Sequence, residues 1–166
     1  SPVVAYSTGH GEKGLDDRQR GALPFQQLLD PRYRMEEIDL SDTDIPEGVD
    51  TLVINGPTEP LSEEALFRID QFLLGGGSLM VLLDSHVQQI PPQQALAQGA
   101  QPSWRRNETG LEKLLTHHGV TVSQRIVLDE ESFVATQGGR RQKIYTAPFL
   151  QGASINRESV ITRQLE

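Results

Sequence analysis

Between residues 51 and 84 two apolar runs of strand length enclose one amphipathic helix, and this order restricts the chain more than any other feature. Thr51-Leu52-Val53-Ile54 is a short apolar run stopped by Asn55-Gly56-Pro57. Ser62 is suited to cap the helix that follows, and Glu63 and Glu64 put negative charge at the positive end of its dipole. Ala65, Leu66, Ile69, Phe72 and Leu73 then form one stripe of a 3.6-residue period, which Gly75-Gly76-Gly77 ends. Ser78-Leu79-Met80-Val81-Leu82-Leu83 is apolar on both faces, the composition of a central parallel strand, and stops at Asp84. Strand, helix and strand joined by short connections predict an α/β unit with a right-handed crossover.

The residues on either side extend the pattern. Val3-Val4-Ala5-Tyr6 reads as a buried strand feeding the loop Ser7 to Glu12. A helix is expected from Pro24 to Leu29, with Phe25, Leu28 and Leu29 on one face. Arg34 to Leu40 ends in apolar–acidic alternation. The Gln- and Pro-rich stretch 85–107, with its lone Trp104, is expected to be a long loop. A helix from Gly110 to His118, capped by Asn107 or Thr109, should follow. Val120 to Val122 and Arg125 to Leu128 are candidate strands, and the runs flanking Gly138-Gly139 suggest a β-hairpin over 130–146. A single α/β domain spanning 1–166 is the expected organisation.

Composition excludes several chemistries. The chain has 166 residues and no cysteine, which removes disulfides, thiolate metal sites and a cysteine nucleophile. A formal charge of −8 argues against nucleic acid as a partner, since that binding rests on basic side chains. No apolar run approaches the roughly 20 residues that span a bilayer. The opening Ser1-Pro2 and the abrupt end lead us to expect a piece of a longer protein, with any membrane anchor outside it.

Ligands of open parallel sheets bind beyond the carboxyl ends of the strands, so the loops 7–12, 55–59 and 84–86 are the natural place for a site. They carry Ser7, Thr8, His10, Glu12, Asn55, Asp84 and His86. His10, Glu12, Asp84 and His86 are types that zinc accepts, but their spacing matches no metal motif, and neither a metal nor a cofactor is expected. Ser7, His10 and Asp84 supply the residue types of a hydrolase triad, without the G-x-S-x-G elbow. Ser7 to Gly11 also resembles the hydroxyl-rich phosphate loop of flavodoxins, with Glu12 where that loop has a later hydroxyl.

Several segments together resemble one family. These are the strand and loop Val4 to Glu12, containing Gly9-His10-Gly11-Glu12, and Ile45-Pro46 with Val49 to Pro57. Leu61 to Leu73, Gly76 to Asp84, Gly110 to Leu115, Gly119-Val120 and Val127-Leu128-Asp129 complete the series, over residues 3 to 130. In their order they resemble the auxiliary component of ABC-type transport systems, the gliding-motility-associated type. The resemblance implies a flavodoxin-like or class I glutamine amidotransferase-like three-layer sandwich with a mostly parallel central sheet. It implies a non-enzymatic domain at the periplasmic or extracytoplasmic face of a bacterial inner membrane. Its expected partners are the transporter's permease and ATPase subunits or related accessory proteins, with a small ligand such as a glycan as a further expectation.

Overall fold

A computed structural model of the chain describes residues 1–160 except 20, 30 and 138. The chain divides into two compact units, Ser1–Gln124 and Arg125–Glu166.

The first unit is built on a four-stranded parallel sheet. Its strands are β1 (Val3–Thr8), β2 (Arg34–Asp39), β3 (Thr51–Asn55) and β4 (Ser78–Leu82), in the order β2-β1-β3-β4. Helix α1 (Leu23–Leu29) lies between β1 and β2 in sequence, and α2 (Glu63–Leu74) between β3 and β4. Ser62 caps α2, its hydroxyl accepting from the Ala65 N–H at 3.1 Å. The close of α2 rests on steric need as well as propensity. Gly76 has φ +95°, and a Cβ at Gly77 would lie 2.3 Å from the Phe72 ring. The mixed α/β class is therefore as expected.

The period-2 geometry of the strands sorts their side chains onto two faces. Ala5, Leu52 and Ile54 join Ile38, Leu40, Leu61, Ala65, Ile69, Leu111 and Leu114 in the larger core. Val4, Tyr6 and Val53 point the other way, onto Leu15 and Ala22, with Phe25 and Met35 at the margin.

Three expectations are corrected. The run Ser78 to Leu83 is not a central strand but the edge of the sheet, beside β3 alone among the described residues. Apolar side chains on both faces report cover above and below a strand and say nothing of a neighbour beside it. Even that cover is uneven: Leu79 and Val81 pack on the larger core, while Met80 and Leu82 are 43% and 44% exposed.

The stretch 85–107 is not one loop. It holds β5 (His86–Gln89), the short helix α3 (Gln93–Ala97) and β6 (Ser103–Arg106). β5 and β6 pair antiparallel, with His86 opposite Arg106 and Gln88 opposite Trp104. Backbone pairing supplies what the weak periodicity concealed. Helix α4 (Leu111–His117) follows with Gly110 at its N-cap, and the hydroxyl of the preceding Thr109 accepts from the Leu111 N–H. Glu112 reaches back to the N–H groups of Thr109 and Gly110, a reciprocal cap.

No strand forms at Val120 to Val122 or at Arg125 to Leu128. A run of β-branched residues becomes a strand only with a ladder partner, and these have none among the described residues.

In the second unit β7 (Ser132–Gln137) and β8 (Arg140–Pro148) form an antiparallel pair with an irregularity at Ser132/Phe133. A single 3-10 turn, Gly152–Ser154, comes after it. Gly138, placed at the tip of the expected hairpin, lies outside the described residues. Among the described residues no helix is long and apolar enough to cross a membrane.

Candidate functional site

The carboxyl end of the parallel sheet gathers the loops 7–12, 55–59 and 84–86, and a dense set of hydrogen bonds joins them. The His10 carbonyl accepts from the N–H groups of Thr58 at 2.9 Å and Glu59 at 3.1 Å. Lys13 N–H donates to the Asn55 carbonyl, and Gly56 N–H to that of Leu82. The Asn107 side-chain amide donates to the carbonyls of Pro57 at 2.9 Å and Asp84 at 3.0 Å, while its own N–H reaches Ser85. Arg105 adds a bond from Nη2 to the Thr58 carbonyl.

At the centre of the first loop sits one carboxylate. Ser7 donates its hydroxyl to Oε1 of Glu12 at 2.6 Å, and the His10 backbone N–H donates to Oε2 at 2.6 Å. Ser7 and His10 are buried, and the Glu12 side chain is 2% exposed. Nδ1 of His10 lies 3.8 Å from Glu12 Oε1, beyond hydrogen-bond reach, and is buried without a partner. Gly9 and Gly11 let the backbone double back, with φ of +95° and +75°. A Cβ at Gly11 would fall 2.1 Å from Thr58 Oγ1, so this loop lies directly on the 55–59 loop. In sheets of this order the crevice between β1 and β3, where the connections reverse direction, is the usual ligand seat. Here the glycine loop and the 55–59 loop meet across it.

Two titrating groups border the loop. Burial pushes the Tyr6 phenol above its ordinary value, the Asn55 side chain opposes this by a hydrogen bond, and the charges of Glu12 and Glu37 add to the rise. Its hydroxyl donates to the Lys13 carbonyl. Bonds from the Ser41 hydroxyl and N–H hold the Asp39 carboxyl below the usual carboxylate range, and the nearby His10 adds to the effect.

The sequence-based candidates thus separate. Ser7, His10 and Glu12 come together in a buried cluster, with Asn55 beside Tyr6. Thr8 ends β1 half-buried. Asp84 is exposed, and no hydrogen bond or ion pair joins its carboxylate to His10 or Ser7 among the described residues. His86 is half-buried with Nδ1 3.0 Å from the Ser85 hydroxyl. The Ser7 proton is directed to Glu12 rather than to an imidazole, so Ser7, His10 and Asp84 do not form the linear relay a triad requires. No group of three potential metal ligands converges among the described residues.

Asn107 was missed as a member of this end of the sheet, and Thr58, though inside the expected 55–59 loop, was not singled out. Both act through backbone carbonyls or through close contact distant in sequence, and such roles leave no motif.

A family model described as "ABC-type uncharacterized transport system" matches residues 1–166. The chain belongs to this family. It is the auxiliary ABC-type transport family that the resemblance implied. No curated protein matches the chain. A solved structure titled "mmIFT52 N-terminal domain" is similar at 18% identity, covering 49% of this chain and 35% of its own, with a TM-score of 0.40. The chain therefore spans about a third of that structure's length.

Proposed function

We propose that this chain is a non-catalytic, extracytoplasmic docking domain of the gliding-motility type of auxiliary component. It would engage a transporter subunit or accessory protein with the surface at the carboxyl end of its sheet. The observation that carries this reading is the closed crevice: the loop through Gly11 lies on Thr58, leaving a fixed surface where a ligand pocket would otherwise open. A surface held by Asn107, Arg105 and the backbone bonds of His10 is preorganised, which lowers the ordering cost of binding a macromolecule. Exposed on or beside it are Asp84, Glu59 and Trp104, the last a residue type common among interface anchors. The flavodoxin-like three-layer sandwich belongs to the same proposal, supported by the β2-β1-β3-β4 order and by apolar clusters on both sheet faces.

Co-purification of the transporter subunits with the tagged protein tests this. Alanine at Asp84, Glu59 and Trp104 together should abolish capture while leaving the melting temperature within about 2 °C. Capture undiminished in that variant would overturn the docking surface. Ester or glycoside turnover that disappears in His10→Ala would overturn the non-catalytic reading. Protection of this domain from protease added to intact spheroplasts would overturn the extracytoplasmic placement.

A further inference from the structure

The two edges of the parallel sheet are chemically opposite. β2 carries Arg34, Glu36, Glu37 and Asp39 along its length, with Arg34 and Glu36 paired at 3.0 Å. Charges of this kind discourage another strand from adding to an edge. β4 reads Ser-Leu-Met-Val-Leu, with no charge, no proline and no bulge.

Among the described residues the backbone of that edge has no partner strand on its outer side. Ser78 N–H donates to Asp50 and the Leu82 carbonyl accepts from Gly56, so residues 78, 80 and 82 direct their polar groups to β3. By alternation the N–H and C=O groups of Leu79 and Val81 point outward, and among the described residues no hydrogen bond reaches them. Beside the edge lies an apolar groove of about 330 Å³ bordered by Phe25, Val53, Met80 and Leu82.

We propose that β4 is a self-association edge, pairing antiparallel with β4 of a second copy across a two-fold axis at Met80. The strand is complementary to itself. Antiparallel pairing about Met80 sets Leu79 opposite Val81 of the second copy and Ser78 opposite its Leu82. The Leu79–Val81 pairs are then the hydrogen-bonded ones, each exchanging both bonds, which uses the outward groups and no others. Met80 meets its own counterpart as a non-hydrogen-bonded pair, whose side chains stand closest, on the face that carries the groove. Nothing on the strand selects a foreign partner: read in either direction it is apolar, and the chain's charge of −8 lies elsewhere. The closed two-fold also removes the open edge, which a head-to-tail contact would not. This inference does not depend on the docking surface proposed above.

The experiment uses the chain's lack of cysteine. Paired across the axis, two residues at position 80 would have Cα atoms about 4.5 Å apart, a separation that a disulfide spans. Met80→Cys should therefore oxidise to a covalent dimer, whereas Glu36→Cys on the other edge should not. By sedimentation the unmodified protein should be dimeric at about 100 μM, with a concentration-dependent midpoint. Met80→Lys and Met80→Glu should each be monomeric, and their equimolar mixture should restore the dimer. A monomeric unmodified protein overturns the proposal, including the case where β4 accepts a strand from some other protein. A dimer indifferent to both charged variants, or equal crosslinking at positions 36 and 80, overturns it as well.

Discussion

Ser7 and Glu12 are joined by a 2.6 Å hydrogen bond across the turn that leaves β1, and the same carboxylate accepts the His10 N–H. The two bonds use both carboxylate oxygens and fold the glycine loop back onto the end of its own strand. A serine next to a histidine here is therefore part of a latch.

Removing the carboxylate should open that latch. Bonds to a charged group contribute about 1.5–3 kcal/mol each, and a buried donor left alone adds a penalty. Glu12→Ala should cost at least about 3 kcal/mol and Ser7→Ala about 1.5–3 kcal/mol, with strong coupling in the double variant. Urea unfolding followed by circular dichroism measures this. Additive losses would show that the two side chains do not act together.

Gly11→Ala should destabilise for two separable reasons. Its φ of +75° lies in the left-handed region, a cost of about 1–2 kcal/mol for a residue with a Cβ. The new Cβ would also meet Thr58 Oγ1, adding about 1–3 kcal/mol of overpacking. Combining Gly11→Ala with Thr58→Ala removes the clashing atom and should recover the second part only. Full recovery would mean that the backbone geometry at Gly11 is unconstrained.

Asn107 is the tie between the 55–59 and 84–86 loops. Asn107→Ala should cost about 2 kcal/mol, by losing two bonds to backbone carbonyls in a buried place. Asn107→Asp should cost more, because a carboxylate would then face the Pro57 and Asp84 carbonyl oxygens. Amide exchange should accelerate at residues 56, 58 and 59 and at 84–86 in both variants. An aspartate variant as stable as the parent would contradict this geometry.

Burial raises the Tyr6 pKa, and this gives alkaline pH a defined effect. A phenol whose folded value exceeds its unfolded value of about 10 binds its proton more tightly when folded. Its contribution is complete below about pH 10 and is lost as pH rises through the folded value. Stability should thus fall above about pH 10, and Tyr6→Phe should flatten that fall. Absorbance titration at alkaline pH should lose its latest component in the same variant. An unchanged titration curve would count against the buried phenol.

How much of this was legible in the sequence differs by element. The helix from Glu63 to Leu74 was readable because its cap, dipole charges, apolar stripe and glycine stop are all local. β1 and β3 were equally plain, since burial on both faces demands unbroken apolar runs. The hairpin of β5 and β6 was not, because its strands are stabilised by each other and polar side chains such as Gln88 and Arg106 leave no period to read.

The candidate site divides along the same line. Residue types near the strand ends could be named from the sequence, and Ser7, His10 and Glu12 do converge. Which of them faces which could not, since a proton's direction depends on distances of a few tenths of an ångström. The α/β class, the bounds of the main elements and the kinship with the transport family were written in local patterns of the chain. Folding alone makes β4 an edge among the described residues, lays Gly11 on Thr58 and lets Asn107 tie two distant loops. Those are relations between segments far apart in the chain, and local propensity carries no information about what stands beside a strand.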